Sequence, residues 1–148
     1  MNASLLVIHG PNLNLLGQRE PEIYGRTTLS MINEQISQRA KQLGLEVECV
    51  QTNNEGRIVD LLQEAEHNRQ AVILNPAAYT HTSIAIRDAI AAITIPVIEV
   101  HLSQISGRES FRQTSLTAPV CAGMISGFGA PSYLLAVEAA ALLLQAKP

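Results

Sequence analysis

Polar side chains gather just beyond the apolar runs of this chain, and their types and spacing suit proton transfer. The run from Ile95 to Val100 continues as VIEVHLS, placing Glu99, His101 and Ser103 at its end. Side chains alternate along a strand, so Glu99 and His101 share a face, and a carboxylate there orients an imidazole and keeps its proton available. That is the layout of a general acid. His9 and Asn12 follow the first apolar run in the same way, and Asn75, Tyr79 and His81 follow the third. Residues 9–25, HGPNLNLLGQREPEIYG, add a further arginine and tyrosine to a segment punctuated by glycine and proline.

Each of these residues also has a plainer role open to it. Asn12 and Asn14 suit turn capping. Glu99 and His101 fit a satisfied pair in the core, and His9, His81, His101 and Glu99 are metal-ligand types, although no tight ligand spacing joins them. Arg108 and Arg112 lie four apart in GRESFRQ, so a helical turn puts them on one face, either as exposed partners of Glu109 or as a grip on an anion. Tyr79 and Phe111 read as packing residues and His67 as a solvated helix end. Several chemistries lack their motif: there is no GxSxG elbow, no GxxxxGK[ST] loop and no GxGxxG after the first run. Lys41 and Lys147 are the only lysines, one on a polar helix face and one beside the C-terminus, which excludes Schiff-base catalysis.

Alternating elements must hold these residues in place. Apolar runs at Leu5–Ile8, Val47–Val50, Ala71–Leu74, Ile95–Val100 and, more weakly, Val120–Ile125 predict strands. Helical periodicity falls between and after them: Leu29 to Leu43 ended by Gly44, Ile58 to Ala65, Ile84 to Ile93, and Tyr133 to Leu144. Strands alternating with helices predict a parallel sheet covered on both faces, and five βα units suggest an α/β, flavodoxin-like three-layer sandwich with a five-stranded sheet. Ligands of such sheets bind beyond the carboxyl ends of the strands, where the polar residues stand. No repeat, low-complexity tract or linker divides residues 1–148, so one domain is expected. The last helix is apolar nearly all round, with only Glu138 and Gln145 to face water, which favours an oligomer.

Composition narrows the ligand. The net charge is −3, from 10 basic and 13 acidic residues, and no basic run marks a nucleic-acid or anionic-membrane footprint. Cys49 and Cys121 are far apart in sequence and fit reduced core residues rather than a disulfide framework or a zinc site. No apolar run approaches the ~20 residues of a membrane span and no leader pattern opens the chain, so a cytoplasmic protein acting on a small molecule is expected.

Four motifs, HGPNLNLLGQREPEIYG, NPAAYTHTSIAIRDA, EVHLS and GRESFR, occur in an order and at spacings that closely resemble the type II 3-dehydroquinate dehydratases, or type II dehydroquinases. The likeness runs from about Leu5 to Leu144. It implies cofactor-free and metal-free dehydration of 3-dehydroquinate to 3-dehydroshikimate through an enolate, by anti elimination, in a dodecamer built as four trimers. Carried over by residue, the resemblance implies Tyr24 as the base that removes a proton beside the ketone and Arg19 as its activator. It implies His101 as the acid for the departing hydroxyl, held by Glu99 and Asn75, and Asn12 as the holder of a water against the enolate oxygen. Asn75, His81, Asp88, the backbone of Leu102 and Ser103, and Arg112 match substrate-binding positions, with Asp88 acting across a subunit boundary. Arg108 would add positive potential near Tyr24.

Elementary electrostatics sets a condition on these roles. A free tyrosine ionises near pH ~10, so a base working near neutrality needs a fall of roughly 2 to 3 pH units, or about 3 to 4 kcal/mol. A guanidinium at ~4 Å supplies ~1 kcal/mol in bulk water but ~4 kcal/mol at an effective dielectric of ~20. Arg19 therefore activates Tyr24 only where water is excluded, which makes residues 17–26, with Gly17, Pro21 and Gly25, read as a lid. With no lysine to form an imine, negative charge must rest on an enolate, and donors aimed at its oxygen become the main stabiliser. The chain departs from the family after His101, where Gln104-Ile105-Ser106 replaces the usual Asn and following His, and after Arg112, where Gln113-Thr114 replaces a His pair. Two other readings compete with the dehydratase: a binding subunit for a polyhydroxylated acid, and a metal-dependent hydrolase.

Overall fold

The computed structural model describes residues 2–18, 22 and 25–145. Five strands, β1 (Ser4–His9), β2 (Glu46–Gln51), β3 (Ala71–Asn75), β4 (Val97–His101) and β5 (Gly123–Ser126), form one sheet in the order β2-β1-β3-β4-β5. Every pairing is parallel. Four helices, α1 (Leu29–Gln42), α2 (Glu55–Asn68), α3 (Ile84–Ala92) and α4 (Pro131–Gln145), complete a flavodoxin-like α/β fold among the described residues. The expectation of five βα units needs one correction, because β4 and β5 are joined by three short 3-10 turns and not by a helix. Leu116–Pro119 breaks any amphipathic pattern there, and proline cannot continue a helix interior.

Strand alternation sorts the core into two layers. Leu5, Val7, Ala71, Ile73, Ile98 and Val100 pack against Ile32, Ile36 and Ala40 of α1 and Tyr133, Ala136, Val137 and Ala140 of α4. Leu6, Ile8, Val72, Leu74 and Val97 pack on the other face against Ile58, Leu61 and Leu62 of α2 and Ile86 and Ile90 of α3. Fully burying one such aliphatic side chain contributes about 1.5–3 kcal/mol, so each face is anchored independently. Each of α1 to α3 starts at a side-chain cap, where Thr28, Asn54 and Ser83 accept from the N–H groups of Met31, Arg57 and Ile86.

The polar residues lie where the parallel sheet ends. His9 is opposite Asn75 across β1 and β3, and Leu74 is opposite Glu99 across β3 and β4. That register puts His9 and Asn75 on the α1/α4 face, and Glu99 and His101 on the α2/α3 face. Gly10 sits where the chain leaves β1 and donates its N–H to the Asn75 carbonyl at 2.8 Å. A Cβ at that position would meet the carbonyl oxygens of Asn75 and Pro76 at 2.8 Å, so only glycine allows the two strand ends to close up. No described helix is long and apolar enough to cross a membrane.

Candidate active site

A cleft opens above the carboxyl ends of β1, β3 and β4. Asn12, Asn75, His81, His101, Leu102, Ser103, Arg108 and Arg112 line it, together with apolar side chains that include Leu13, Leu16 and Ile105. These come from the β1–α1 segment, the turn after β3 and the loop after β4, three parts of the sequence joined only by the sheet register. Arg19 and Tyr24 lie outside the described residues, as does part of the proposed lid. Gly17 and Gly25 have φ of +86° and +76°, the left-handed conformation that glycine adopts without a steric penalty.

Glu99 and His101 form the one buried carboxylate–imidazole pair among the described residues. His101 Nε2 lies 2.6 Å from Glu99 Oε2, with Glu99 fully buried and His101 nearly so. The bond occupies Nε2, leaving Nδ1 as the ring nitrogen available to the cleft. Three hydroxyls absent from the sequence reading surround the carboxylate: Thr80 donates to Oε2 at 2.7 Å, Ser115 to Oε2 at 3.1 Å, and Thr117 to Oε1. Burial by itself raises the Glu99 pKa. The hydrogen bond and charge of His101, with the hydroxyls of Thr117 and Thr80, more than offset it and hold the carboxyl below its ordinary value. Cys121 borders the same group, its Sγ 3.9 Å from Oε1, and burial followed by the Glu99 charge pushes its thiol up to about 12. It stays a protonated, unreactive neighbour.

Asn75 is held from two sides. Its Oδ1 accepts from the Ala77 N–H and its Nδ2 donates to the Tyr133 hydroxyl, both at 3.0 Å. His81 donates Nδ1–H to the Thr114 carbonyl at 2.8 Å, which leaves Nε2 as the ring nitrogen free to meet a ligand in the cleft it lines. Gln113-Thr114, one of the two departures from the family pattern, therefore contributes a backbone carbonyl whose identity does not depend on the side chain. Asn12 adopts a left-handed φ of +69° at the start of a 3-10 turn and makes no side-chain capping bond, so its position is the turn while its amide is not used for capping. Arg112 Nε lies 3.1 Å from Glu109, and Arg108 Nη1 is 3.5 Å from the Ser103 hydroxyl.

Other expectations fare differently. Asp88 is exposed on α3 and does not line the cleft of its own chain. Phe111 does not pack, being 67% exposed with the Arg112 guanidinium 5.0 Å from its ring centre, because a short turn in the β4–β5 connection offers it no apolar layer. Tyr79 does pack against the α2/α3 core, and it donates its hydroxyl to the Asn53 carbonyl at 2.8 Å. No described group of three or more His, Cys, Asp and Glu residues is arranged to hold a metal ion, since the register sends His9 and His101 to opposite faces.

The family model described as Dehydroquinase class II matches residues 3–141 of this chain. The chain belongs to the class II dehydroquinases. It is 61% identical over 135 residues to a 3-dehydroquinate dehydratase of Geotalea daltonii, covering 91% of this chain and 94% of that one. The crystal structure of a type II dehydroquinase from Butyrivibrio crossotus superposes with a TM-score of 0.92 at 46% identity, covering 94% of this chain and 97% of that one. A type II dehydroquinase from Propionibacterium acnes gives 0.92 at 42%, covering 96% and 98%. As a class II dehydroquinase the chain is an enzyme, a hydro-lyase.

The hydroxyls around Glu99 carry little signal in the sequence. Thr80 lies within the motif around His81 and was reachable from the turn that follows β3. Ser115 and Thr117 sit in an aperiodic loop, and nothing in TSLTAP marks its hydroxyls as facing a carboxylate on another strand.

Proposed function

We propose that this dehydroquinase converts 3-dehydroquinate to 3-dehydroshikimate through an enolate, by anti elimination, without metal or cofactor. The observation that carries the reading is the buried Glu99–His101 pair at the edge of a cleft that also holds Asn12, Asn75, His81 and two arginines. Such a pair is built to deliver a proton, because the carboxylate stabilises the imidazolium before transfer and orients the ring throughout.

In this mechanism Tyr24, with its proton withdrawn under the influence of Arg19, takes a hydrogen from the carbon beside the ketone. The electron pair moves onto the ketone oxygen as an enolate, near which Asn12 holds a water. The enolate then collapses, the hydroxyl on the neighbouring carbon departs with a proton from His101, and water and a conjugated enone remain. Tyr24 ends protonated and His101 neutral, so proton exchange with solvent resets both. Asn75, His81, the backbone of Leu102 and Ser103, and Arg112 bind the substrate's hydroxyls and carboxylate, and Arg108 adds positive potential near Tyr24. Losing one donor aimed at an oxyanion typically costs about 2.7–4 kcal/mol, the scale on which Asn12 should act.

The chain acts as one catalytic domain with residues 17–26 as its lid, in the cytoplasm, as a dodecamer of four trimers in which Asp88 reaches a neighbouring cleft. Leu135, Leu142 and Leu143 of α4 are 45%, 65% and 40% exposed, an apolar face that assembly would cover. Its reaction serves aromatic biosynthesis or quinate breakdown equally.

Ultraviolet absorbance of the enone tests the reading, with wild type and Tyr24→Phe each assayed with and without EDTA. The expected outcome is product formation that survives EDTA and falls at least ~10²-fold in the variant. No product from a folded wild type would reject the dehydratase in favour of a binding subunit, and loss with EDTA would point to a metal.

A further inference from the structure

The cleft residue Asn75 is backed by a chain of buried hydrogen bonds that none of the catalytic steps uses. Its Nδ2 donates to the Tyr133 hydroxyl at 3.0 Å, that oxygen lies 2.8 Å from His9 Nδ1, and His9 Nε2 lies 2.7 Å from Asn33 Oδ1. Tyr133 and His9 are fully buried and Asn75 is 2% exposed. An imidazole, a phenol and an amide sealed away from water cost free energy unless every polar atom is satisfied.

The polarity of this chain is determined from both ends. At the cleft end, the Ala77 backbone N–H donates to Asn75 Oδ1 at 3.0 Å, and a backbone amide cannot reverse its role. Asn75 must therefore present Oδ1 to Ala77 and Nδ2 to Tyr133, so the phenol oxygen accepts and its own hydrogen is directed to His9. At the far end Asn33 Oδ1 accepts from His9 Nε2–H, so a neutral His9 keeps a lone pair on Nδ1 for the Tyr133 hydrogen. Burial lowers the His9 pKa to about 4, against the smaller raising effect of the Asn33 bond, so the ring is neutral near pH 7. The two ends agree on one arrangement.

We infer that Tyr133, supported by His9 and Asn33, is a positioning residue that locks the orientation of the Asn75 amide, so that the cleft always meets the same remaining N–H donor. The Ala77 N–H fixes which end of the amide accepts, and the Tyr133 oxygen holds Nδ2 at one angle; without that oxygen a single hydrogen bond remains to keep the amide from tilting. A substrate oxygen placed against Nδ2–H would then meet a donor out of line. The inference rests on the proposed role of Asn75 in holding substrate, and it adds that the specificity of that contact for an oxygen acceptor is set on α4 and β1, outside the cleft.

Steady-state kinetics with 3-dehydroquinate on Asn75→Ala, Tyr133→Phe and the double variant test it. Tyr133→Phe should raise KM about tenfold while kcat changes less than about threefold, as expected when a uniform binding contact is lost. The double variant should match Asn75→Ala within about twofold, because Tyr133 acts through Asn75 alone. A fold-wide packing role for Tyr133 predicts instead that the two losses multiply, and that result overturns the proposal. An unchanged KM in Asn75→Ala would overturn it by removing the substrate contact itself, and a normal KM in Tyr133→Phe beside a raised one in Asn75→Ala would overturn the positioning role alone. Should Tyr133→Phe fail to fold, His9 decides. His9→Asn keeps an acceptor near the Nδ1 position and should hold KM within about twofold of wild type, whereas His9→Leu should raise it about tenfold. Equal KM values in those two variants would overturn the role.

Discussion

His9 and His101 close two strands of one sheet, are both buried, and lie on opposite faces of it. Their partners differ in kind. His9 has a phenol and an amide around it and is sealed from water, so burial lowers its pKa to about 4 against the smaller raising effect of the Asn33 bond. His101 has the Glu99 carboxylate at 2.6 Å, whose pKa is held low against burial by His101 first and then by the Thr117 and Thr80 hydroxyls. The same residue type is thus a fixed structural connector on one face and, in the proposed mechanism, a proton donor on the other, and the difference follows from what covers each face. A histidine at a strand end is not in itself a chemical assignment; its second nitrogen's partner is.

The largest expected break in this comparison comes from exchanging the burden between the two histidines. His101→Ala should lower kcat about 10²–10⁴-fold, the usual contribution of a general acid. His9→Asn, which keeps an acceptor for Tyr133, should leave kcat within about threefold. Steady-state rates from folded proteins decide the matter, and a kcat in His101→Ala close to wild type would remove the acid role from the charged pair.

Much of this contrast was legible in the residues. The alternation in VIEVHLS placed Glu99 and His101 on one face, as the structure has them, and the apolar runs located all five strands to within about three residues. The cleft lining follows from the residues just beyond the strands, since a parallel sheet brings its carboxyl ends together. What could not be read depends on distance in sequence. Tyr133 lies 124 residues from His9, and as a large side chain in an almost wholly apolar helix it carried only a packing signal. Ser115 and Thr117 sit in a loop with no period, so only the folded chain shows that they turn toward Glu99. Phe111 misled because aromatic residues usually find an apolar layer, and the 3-10 turn at Ser110–Arg112 offers none.

Acid should reveal His9 next. Its proton is bound in the unfolded chain below pH 6.5 but in the folded chain only below about 4. Stability contributed by the neutral ring is complete above 6.5, declines as pH falls, and is exhausted below about 4. At about 1.36 kcal/mol per unit the full loss is about 3 kcal/mol, of which about 2 kcal/mol falls between pH 6.5 and 5. Glu99, with its pKa lowered, adds its own loss only at lower pH, as the carboxyl approaches protonation. Urea unfolding between pH 7 and 5 should therefore show a decline that His9→Asn flattens. A decline of equal size in that variant would assign the acid sensitivity elsewhere.

The smallest effects should separate the hydroxyls that hold Glu99. Thr117 is fully buried, and among the described residues it shares Oε1 only with the distant Cys121 thiol. Ser115 shares Oε2 with Thr80 and His101. Thr117→Val therefore leaves one carboxylate oxygen with a weak S–H donor and should cost about 2 kcal/mol, within the range for a hydrogen bond to a charged group. Ser115→Ala leaves two strong donors on its oxygen and should cost about 1 kcal/mol, including the lost bond to the Ala118 N–H. Denaturant midpoints for the two variants at pH 7 give the order. A larger loss for Ser115→Ala would mean that the serine stabilises the loop more than the carboxylate.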